Sequence, residues 1–289
     1  MKSSKMTRRE FACIATAGVT ALGGVVAAKA AVQQAPLRIT IIGDSVCIPE
    51  GRRDVACFMI NGKHLVDTGW YAALKMREYG FDPLALESII ITHFHHDHYL
   101  GLPGLLFYAG LRKRAGNPLT IAGPSEHLER VVKATDEFLQ VYRFPEVLAN
   151  RKLLPLVTGD KFEFSDLRFE TFAARHSSGK DQTEQALAYK VTDKASGACA
   201  VYSGDTHPHP PLADFAKGAS LLIHDASHTG PKDSARIAQQ AGVSRLVLIH
   251  YSQARAAKIL DEAKAVFPNT ELAEEGKTLE VFGSADPKK

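Results

Sequence analysis

Residues 92–101 read Thr-His-Phe-His-His-Asp-His-Tyr-Leu-Gly, which puts four candidate ligands, His93, His95, Asp97 and His98, within six residues. Imidazole and carboxylate donors together suit zinc, iron or manganese. Two ligand subsets so close predict two metal ions rather than one. The run follows Ser88-Ile89-Ile90-Ile91, an apolar stretch that reads as a buried strand. A strand end releasing into a tight loop aims alternate side chains into one cleft. Three more candidates recur at the ends of predicted strands: His176, Asp205 after Val201-Tyr202-Ser203-Gly204, and His250 after Leu246-Val247-Leu248-Ile249. His93, His95 and His176 then serve one metal, and Asp97, His98 and His250 the other. Asp205 is the natural bridge, because a carboxylate has two oxygens. Cations about 3.5–4 Å apart can share a hydroxide, and bound water ionises near pH 7 in favourable sites. A lone strand-end histidine is more often structural than a ligand; the joint occurrence, in this order, reverses those odds. Asp67, in Asp67-Thr68-Gly69, has two readings: a carboxylate that orients a ligand histidine, or a cap for a helix starting at Tyr71.

The elements that position these residues follow from hydrophobic pattern and turn chemistry. Strands are predicted at 37–42, 56–60, 64–67, 88–91 and 119–122, the second and third joined by an Asn61-Gly62 hairpin turn. Helices fit 71–79, 102–114 and about 125–139, the last capped by Ser125. In the second half, strands fit 152–157, 161–164, 167–173, 186–191, 198–203, 221–223, 246–249 and 278–282. Helices fit 211–217, 231–241 and 254–265. Two strand-rich halves predict an α/β chain with two sheets packed face to face and helices on both outer flanks.

The N-terminus reads as an address. Thr7-Arg8-Arg9-Glu10-Phe11 precedes an Ala/Gly-rich apolar stretch, and Ala28-Lys29-Ala30 follows. A charged start, a moderately apolar middle and a small-residue cleavage site make a signal peptide, and the paired arginines are those of a twin-arginine export signal. Residues 1–30 are therefore expected to engage the twin-arginine export machinery and to be cut off by a signal peptidase, leaving a periplasmic or secreted domain at 31–289 with no membrane segment. The 289-residue chain has a formal net charge of +3, but residues 1–30 hold five basic residues and one acidic. The remainder has 30 basic and 31 acidic residues, a net of −1. That balance argues against stable nucleic-acid binding, which usually shows a basic excess. Cys47, Cys57 and Cys199 remain after processing, an odd number that leaves room for one disulfide but fits buried thiols better.

The pattern His-x-His-x-Asp-His, followed by His, Asp and His at strand ends, resembles the metallo-β-lactamase superfamily. Within it the chain resembles the ribonuclease Z branch from about residue 38 to 256. The resemblance is carried by 98–106 (HYLGLPGLL), 118–124 (PLTIAGP), 202–206 (YSGDT), 221–227 (LLIHDAS) and 248–252 (LIHYS). It implies a four-layered αβ/βα sandwich and a dinuclear site, with zinc the default and manganese or iron the alternatives. Two departures stand out. His224-Asp225-Ala226-Ser227 runs straight into His228-Thr229-Gly230, so the branch's intervening loop is missing. His228 falls where the branch keeps a proton-donating histidine, Asp225 stands where a glutamate would orient it, and His224 is the next candidate. The long tRNA-gripping arm is also missing, since 140–165 leaves room for only a short connection. His96 fills the variable slot of the motif and should face away, and His207 and His209 read as solvated loop residues near the cleft mouth. The reading is an exported phosphodiesterase that uses a metal-bridging hydroxide on a small or non-tRNA substrate. Its rivals are hydrolysis of an aryl sulfate, lactone or β-lactam, and a non-catalytic periplasmic metal- or ligand-binding protein. The branch also implies a homodimer.

Overall fold

The structure is a computed structural model that describes residues 36–176 and 185–283. The signal peptide expected at 1–30 lies outside the described residues. Among those residues the strands form two mixed sheets of seven. The first sheet contains β1 (Leu37–Gly43), β2 (Cys57–Ile60), β3 (His64–Val66), β4 (Ser88–Ile90), β5 (Leu119–Pro124), β6 (Arg151–Leu156) and β14 (Thr278–Val281), in the order β14-β1-β2-β3-β4-β5-β6. The second contains β7 (Lys161–Glu163), β8 (Leu167–Ala173), β9 (Leu187–Asp193), β10 (Cys199–Tyr202), β11 (Leu221–Asp225), β12 (Arg245–Ile249) and β13 (Thr270–Leu272), in the order β13-β12-β11-β10-β9-β8-β7. Each sheet is parallel over four neighbouring strands, β3 to β6 in one and β10 to β13 in the other. Parallel strands align their carboxyl ends, where open α/β sheets place their ligands.

Three buried clusters give the layers. Ile39, Phe58, Ile60 and Val66 of the first sheet meet Phe169, Tyr189, Tyr202 and Ile223 of the second. The outer face of the first sheet is covered by α1 (Ala72–Glu78), α3 (Leu102–Leu111) and α4 (Leu128–Phe138) through Met76, Leu105, Leu106 and Val132. The second is covered by α5 (Leu212–Ala216), α6 (Pro231–Ala241) and α7 (Ala256–Lys264) through Leu212, Ile237, Ala238 and Ile259. The result is the four-layered αβ/βα sandwich. The sheets are pinned at the cleft end, where the Tyr189 hydroxyl donates to the Ile91 carbonyl at 2.8 Å and the Leu187 N–H to the Thr92 carbonyl at 2.9 Å.

Most expected elements are present within a residue or three. The Asn61-Gly62 turn has φ of 50° and 70°, the double left-handed geometry that matches strand twist in a two-residue hairpin. Two expectations need correction. Ser125 does not cap the following helix, which starts at Leu128 behind His127 with no side-chain cap. Pro124 still belongs to β5, so the chain needs three more residues to turn, and the Ser125 hydroxyl points to Gln185 instead. Strand β13 was not anticipated. Cys47, Cys57 and Cys199 are all free, Cys57 buried and Cys47 exposed. No helix among the described residues is long and apolar enough to cross a membrane.

Candidate metal centre

The strand ends converge. His93 follows β4, and the next residues turn into a single helical turn, α2 (His96–Tyr99), which presents Asp97 and His98. His176 lies beyond β8, Asp205 beyond β10 and His250 directly after β12. The imidazoles of His93, His95 and His176 form a triangle with ring centroids 4.6, 4.7 and 4.6 Å apart. Their ligand atoms lie within 4.8 Å of one another, as do those of Asp97, His98, Asp205 and His250. His93 and His98, at 4.2 Å between ring centroids, join the two groups. All seven ligand candidates are therefore in one place, the first group being His93, His95 and His176 and the second Asp97, His98 and His250 together with Asp205, the residue expected as a bridge. Asp205 packs with the second subset, 3.3 Å from His98 Nε2.

The rings are held from behind. Asp67, fully buried, accepts from the Thr92 N–H at 2.8 Å and the Thr92 hydroxyl at 2.9 Å, and its Oδ2 lies 2.9 Å from His98 Nδ1. That contact assigns the proton of His98 to Nδ1 and turns Nε2 into the cleft. Thr92 likewise backs His93 Nδ1 at 3.1 Å, and Asp225 backs His250 Nδ1 at 3.3 Å. Asp67 does not cap α1. No side chain caps α1; the Asp54 carboxylate instead accepts from the N–H groups of Trp70 and Tyr71, just before the helix, at 3.0 and 2.8 Å. Asp67 and His250 both take left-handed backbone angles, φ 53° and 62°. Such angles cost about 1–3 kcal/mol in a non-glycine residue and persist only where the surroundings enforce them.

Among the described residues, the buried atoms His93 Nε2, His98 Nε2, His250 Nε2 and Asp205 Oδ1 have no hydrogen-bond partner. An orphaned buried polar atom is expensive, and several aimed into one cleft are what bound cations would satisfy. The electrostatics agree. Burial opposes charge on His98, yet Asp205 and Asp67 hold its pKa well above the ordinary imidazole value. Burial also opposes charge on His250, but Asp205, Asp225 and Asp97 raise it to about 10. In the other subset burial dominates: His93 is driven well down, with His98 adding repulsion, and His176 falls to about 4. The carboxylates of Asp97 and Asp205, despite burial, stay ionised beside His98 and His250. The site is thus built around a concentration of negative charge that calls for cations. The residues fit two metal ions.

Asp225 and His228 form a third feature. The Asp225 carboxylate, fully buried, accepts from the N–H groups of Ser227 (2.8 Å) and Thr206 (3.2 Å), and its Oδ2 is 3.0 Å from His228 Nδ1. The hydrogen bond to Asp225 raises the His228 pKa, against partial burial. The His228 ring is partly open to solvent and stacks over His250 at 5.6 Å, so it stands at the rim of the cleft. It sits in the turn before α6 rather than at the helix start itself. His224 is elsewhere. Alternation along β11 turns it away from Asp225's side, and its Nδ1 contacts the Asp225 carbonyl at 2.8 Å and the Ser234 hydroxyl of α6 at 3.2 Å. The exposed His96 leans on Tyr99 outside the ligand groups. His207 is exposed yet lies at the cleft, 5.7 Å from His228 and 6.0 Å from His176 between ring centroids. His209 packs on Phe172.

The sequence matches the Beta-lactamase superfamily domain over residues 63–251, a span that holds every ligand candidate. The chain belongs to the metallo-β-lactamase superfamily. It is a metal-dependent hydrolase of that superfamily, and its homologues over most of the chain are ribonuclease Z proteins. Ribonuclease Z of Methanothermobacter thermautotrophicus is 28% identical, covering 85% of this chain and 97% of its own length. Among solved structures, a metallo-β-lactamase fold protein of Bacillus subtilis superposes with a TM-score of 0.72 at 22% identity, covering 85% of this chain and 99% of that one. The short form of human tRNase Z superposes with a TM-score of 0.66 at 21% identity, covering 84% and 98%. These superpositions place the superfamily's layered fold under the site.

Proposed function

We propose that this metallo-β-lactamase superfamily hydrolase is an exported phosphodiesterase acting on a small or non-tRNA substrate. The observation that carries the reading is the Asp225–His228 pair beside the two ligand subsets. Cleavage of an alkyl phosphodiester needs a proton for its leaving oxygen, and His228 Nε2 would deliver one while Asp225 holds Nδ1. Two bound cations, with zinc the default, would supply activated water at neutral pH and charge stabilisation. His93, His95 and His176 would hold one, and Asp97, His98, Asp205 and His250 the other. Asp67 and Thr92 fix two of those rings before any substrate arrives. The near-neutral charge of residues 31–289 and the short link between α4 and β6 support a substrate other than tRNA.

A chromogenic panel tests the reading: a phosphodiester, an aryl sulfate, a lactone and a cephalosporin. Turnover of the phosphodiester is expected. Turnover of another member alone would move the protein to that ester class, and none with metal bound would make it a binding protein. Export is tested by changing Arg8 and Arg9 to lysine, which should trap precursor in the cytoplasm; normal processing of that variant would remove the twin-arginine route.

A homodimer completes the proposal. Helix α3 is apolar around its whole girth yet exposes Phe107 and Leu111, which is unusual for a helix facing water. Light scattering should show a dimer for wild type and a monomer for Phe107→Glu; a wild-type monomer at micromolar concentration would dismiss it.

A further inference from the structure

We propose that Arg53 and Asp44 are a positioning pair that fixes the backbone of His250 and so sets the reach of its imidazole. The inference rests on the metal-centre reading above, and it concerns residues that touch neither ligand subset with their side chains.

His250 follows β12 with φ 62°, and something must hold it there. The Asp44 carbonyl accepts from the N–H of His250 at 3.0 Å and from that of Tyr251 at 3.3 Å. Asp44 is itself anchored. Its nearly buried carboxylate accepts from Arg53 Nε at 2.7 Å and from the Glu275 N–H at 3.2 Å. The same guanidinium lies 4.8 Å over the ring of Tyr251, whose hydroxyl donates to the Ala273 carbonyl at 2.7 Å. Arg53 and Glu50 exchange backbone hydrogen bonds at 3.0 and 3.1 Å, and the Glu50 carboxylate accepts from the Gln253 N–H at 2.7 Å. Residues 44–53 therefore grip 250, 251 and 253 from one side.

The chemistry explains why an arginine stands at 53. One planar group must present a hydrogen-bonding edge to Asp44 and a flat face to Tyr251 at once, and the compact ammonium of lysine cannot do both. Hydrophobic pattern and spacing do not reveal this role, because Arg53 reads as one charge among several in a polar loop. The other ligands do not depend on the strap. His98 is backed by Asp67 and His93 by Thr92, so loosening Asp44 should be felt through His250 alone.

Arg53→Met, Arg53→Lys and Asp44→Asn in the full chain test the pair with two readouts. Amide exchange in chelator-stripped protein reads the grip: the His250 and Tyr251 N–H groups should exchange at least tenfold faster in Arg53→Met. Zinc titration against a chromogenic chelator reads the consequence. One of the two zinc affinities should fall about 10–100-fold, the usual range for a supporting residue, with the other unchanged and Arg53→Lys intermediate. Unchanged amide exchange, or equal weakening of both zinc sites with a lower melting temperature, would overturn the proposal. Wild-type protein that takes up no zinc would refute the metal centre instead, and amide exchange would still report on the strap.

Discussion

The two ligand subsets are built on opposite electrostatic plans. His93, His95 and His176 are imidazoles packed edge to face with no carboxylate inside the triangle. Burial and mutual repulsion drive His93 and His176 below the ordinary imidazole range, so that pair stands neutral and ready to ligate at pH 7. Asp97, His98, Asp205 and His250 mix two carboxylates with two imidazoles, both held above that range. The first subset waits for a cation; the second carries protons that a cation must displace. The difference also shows where precision is needed. The carboxylate-rich subset has one member in left-handed backbone, His250, and is backed by another such residue, Asp67; among the described residues, none of His93, His95 and His176 has a positive φ.

The largest expected effect comes from deleting the shared carboxylate. Asp205→Ala should lower metal content and bring turnover below detection, since His98 and His250 both face it; wild-type activity in that variant would break the account of the second subset. His228→Ala should keep both metals and lose about 10²–10⁴-fold in turnover. The loss should be greatest for alkyl leaving groups and small for nitrophenolate, which departs without a proton. Equal rates on an alkyl diester would return His228 to the solvated rim.

Asp67→Asn sharpens the comparison further. It should weaken metal binding about 10–100-fold at the carboxylate-rich subset, because His98 loses its backing carboxylate, and less at the imidazole subset, which Asp67 reaches only through Thr92 and His93. Parallel weakening at both sites would show that the subsets are not independent. The pH effect is smaller. His250, at about 10, is protonated at pH 7, so loading its subset should release protons, while loading the imidazole subset should release few. Calorimetry in buffers of different ionisation enthalpy reads this directly. The same shift stabilises the metal-stripped fold fully below the unfolded value of about 6.5 and less as pH rises through about 10. Denaturation midpoints of stripped protein should fall over that window, and a rise would contradict the sign.

The placement of all seven ligand candidates was legible because each follows an apolar strand, and a strand end fixes where the next side chain points. The Asn61-Gly62 hairpin was legible because its turn chemistry is local. Other features depend on neighbours distant in sequence. Asp54 and Asp67 look alike in a loop, yet Asp54 holds the turn ahead of α1 and Asp67 backs His98. His224 and Asp225 are adjacent, and strand alternation sends them to opposite sides. Strand β13 is three residues long and, among the described residues, pairs with β12 alone, too short to show a period. Ser125 has a good capping side chain but lies one turn too early, because β5 continues through Pro124.

The central claim is a dinuclear site made of two unlike subsets. Elemental analysis of active wild-type protein tests it most directly, with metal and protein measured on the same sample. Close to two equivalents of transition metal per chain is the expected result, falling toward one in His93→Ala. One equivalent or none in fully active wild-type protein would contradict it.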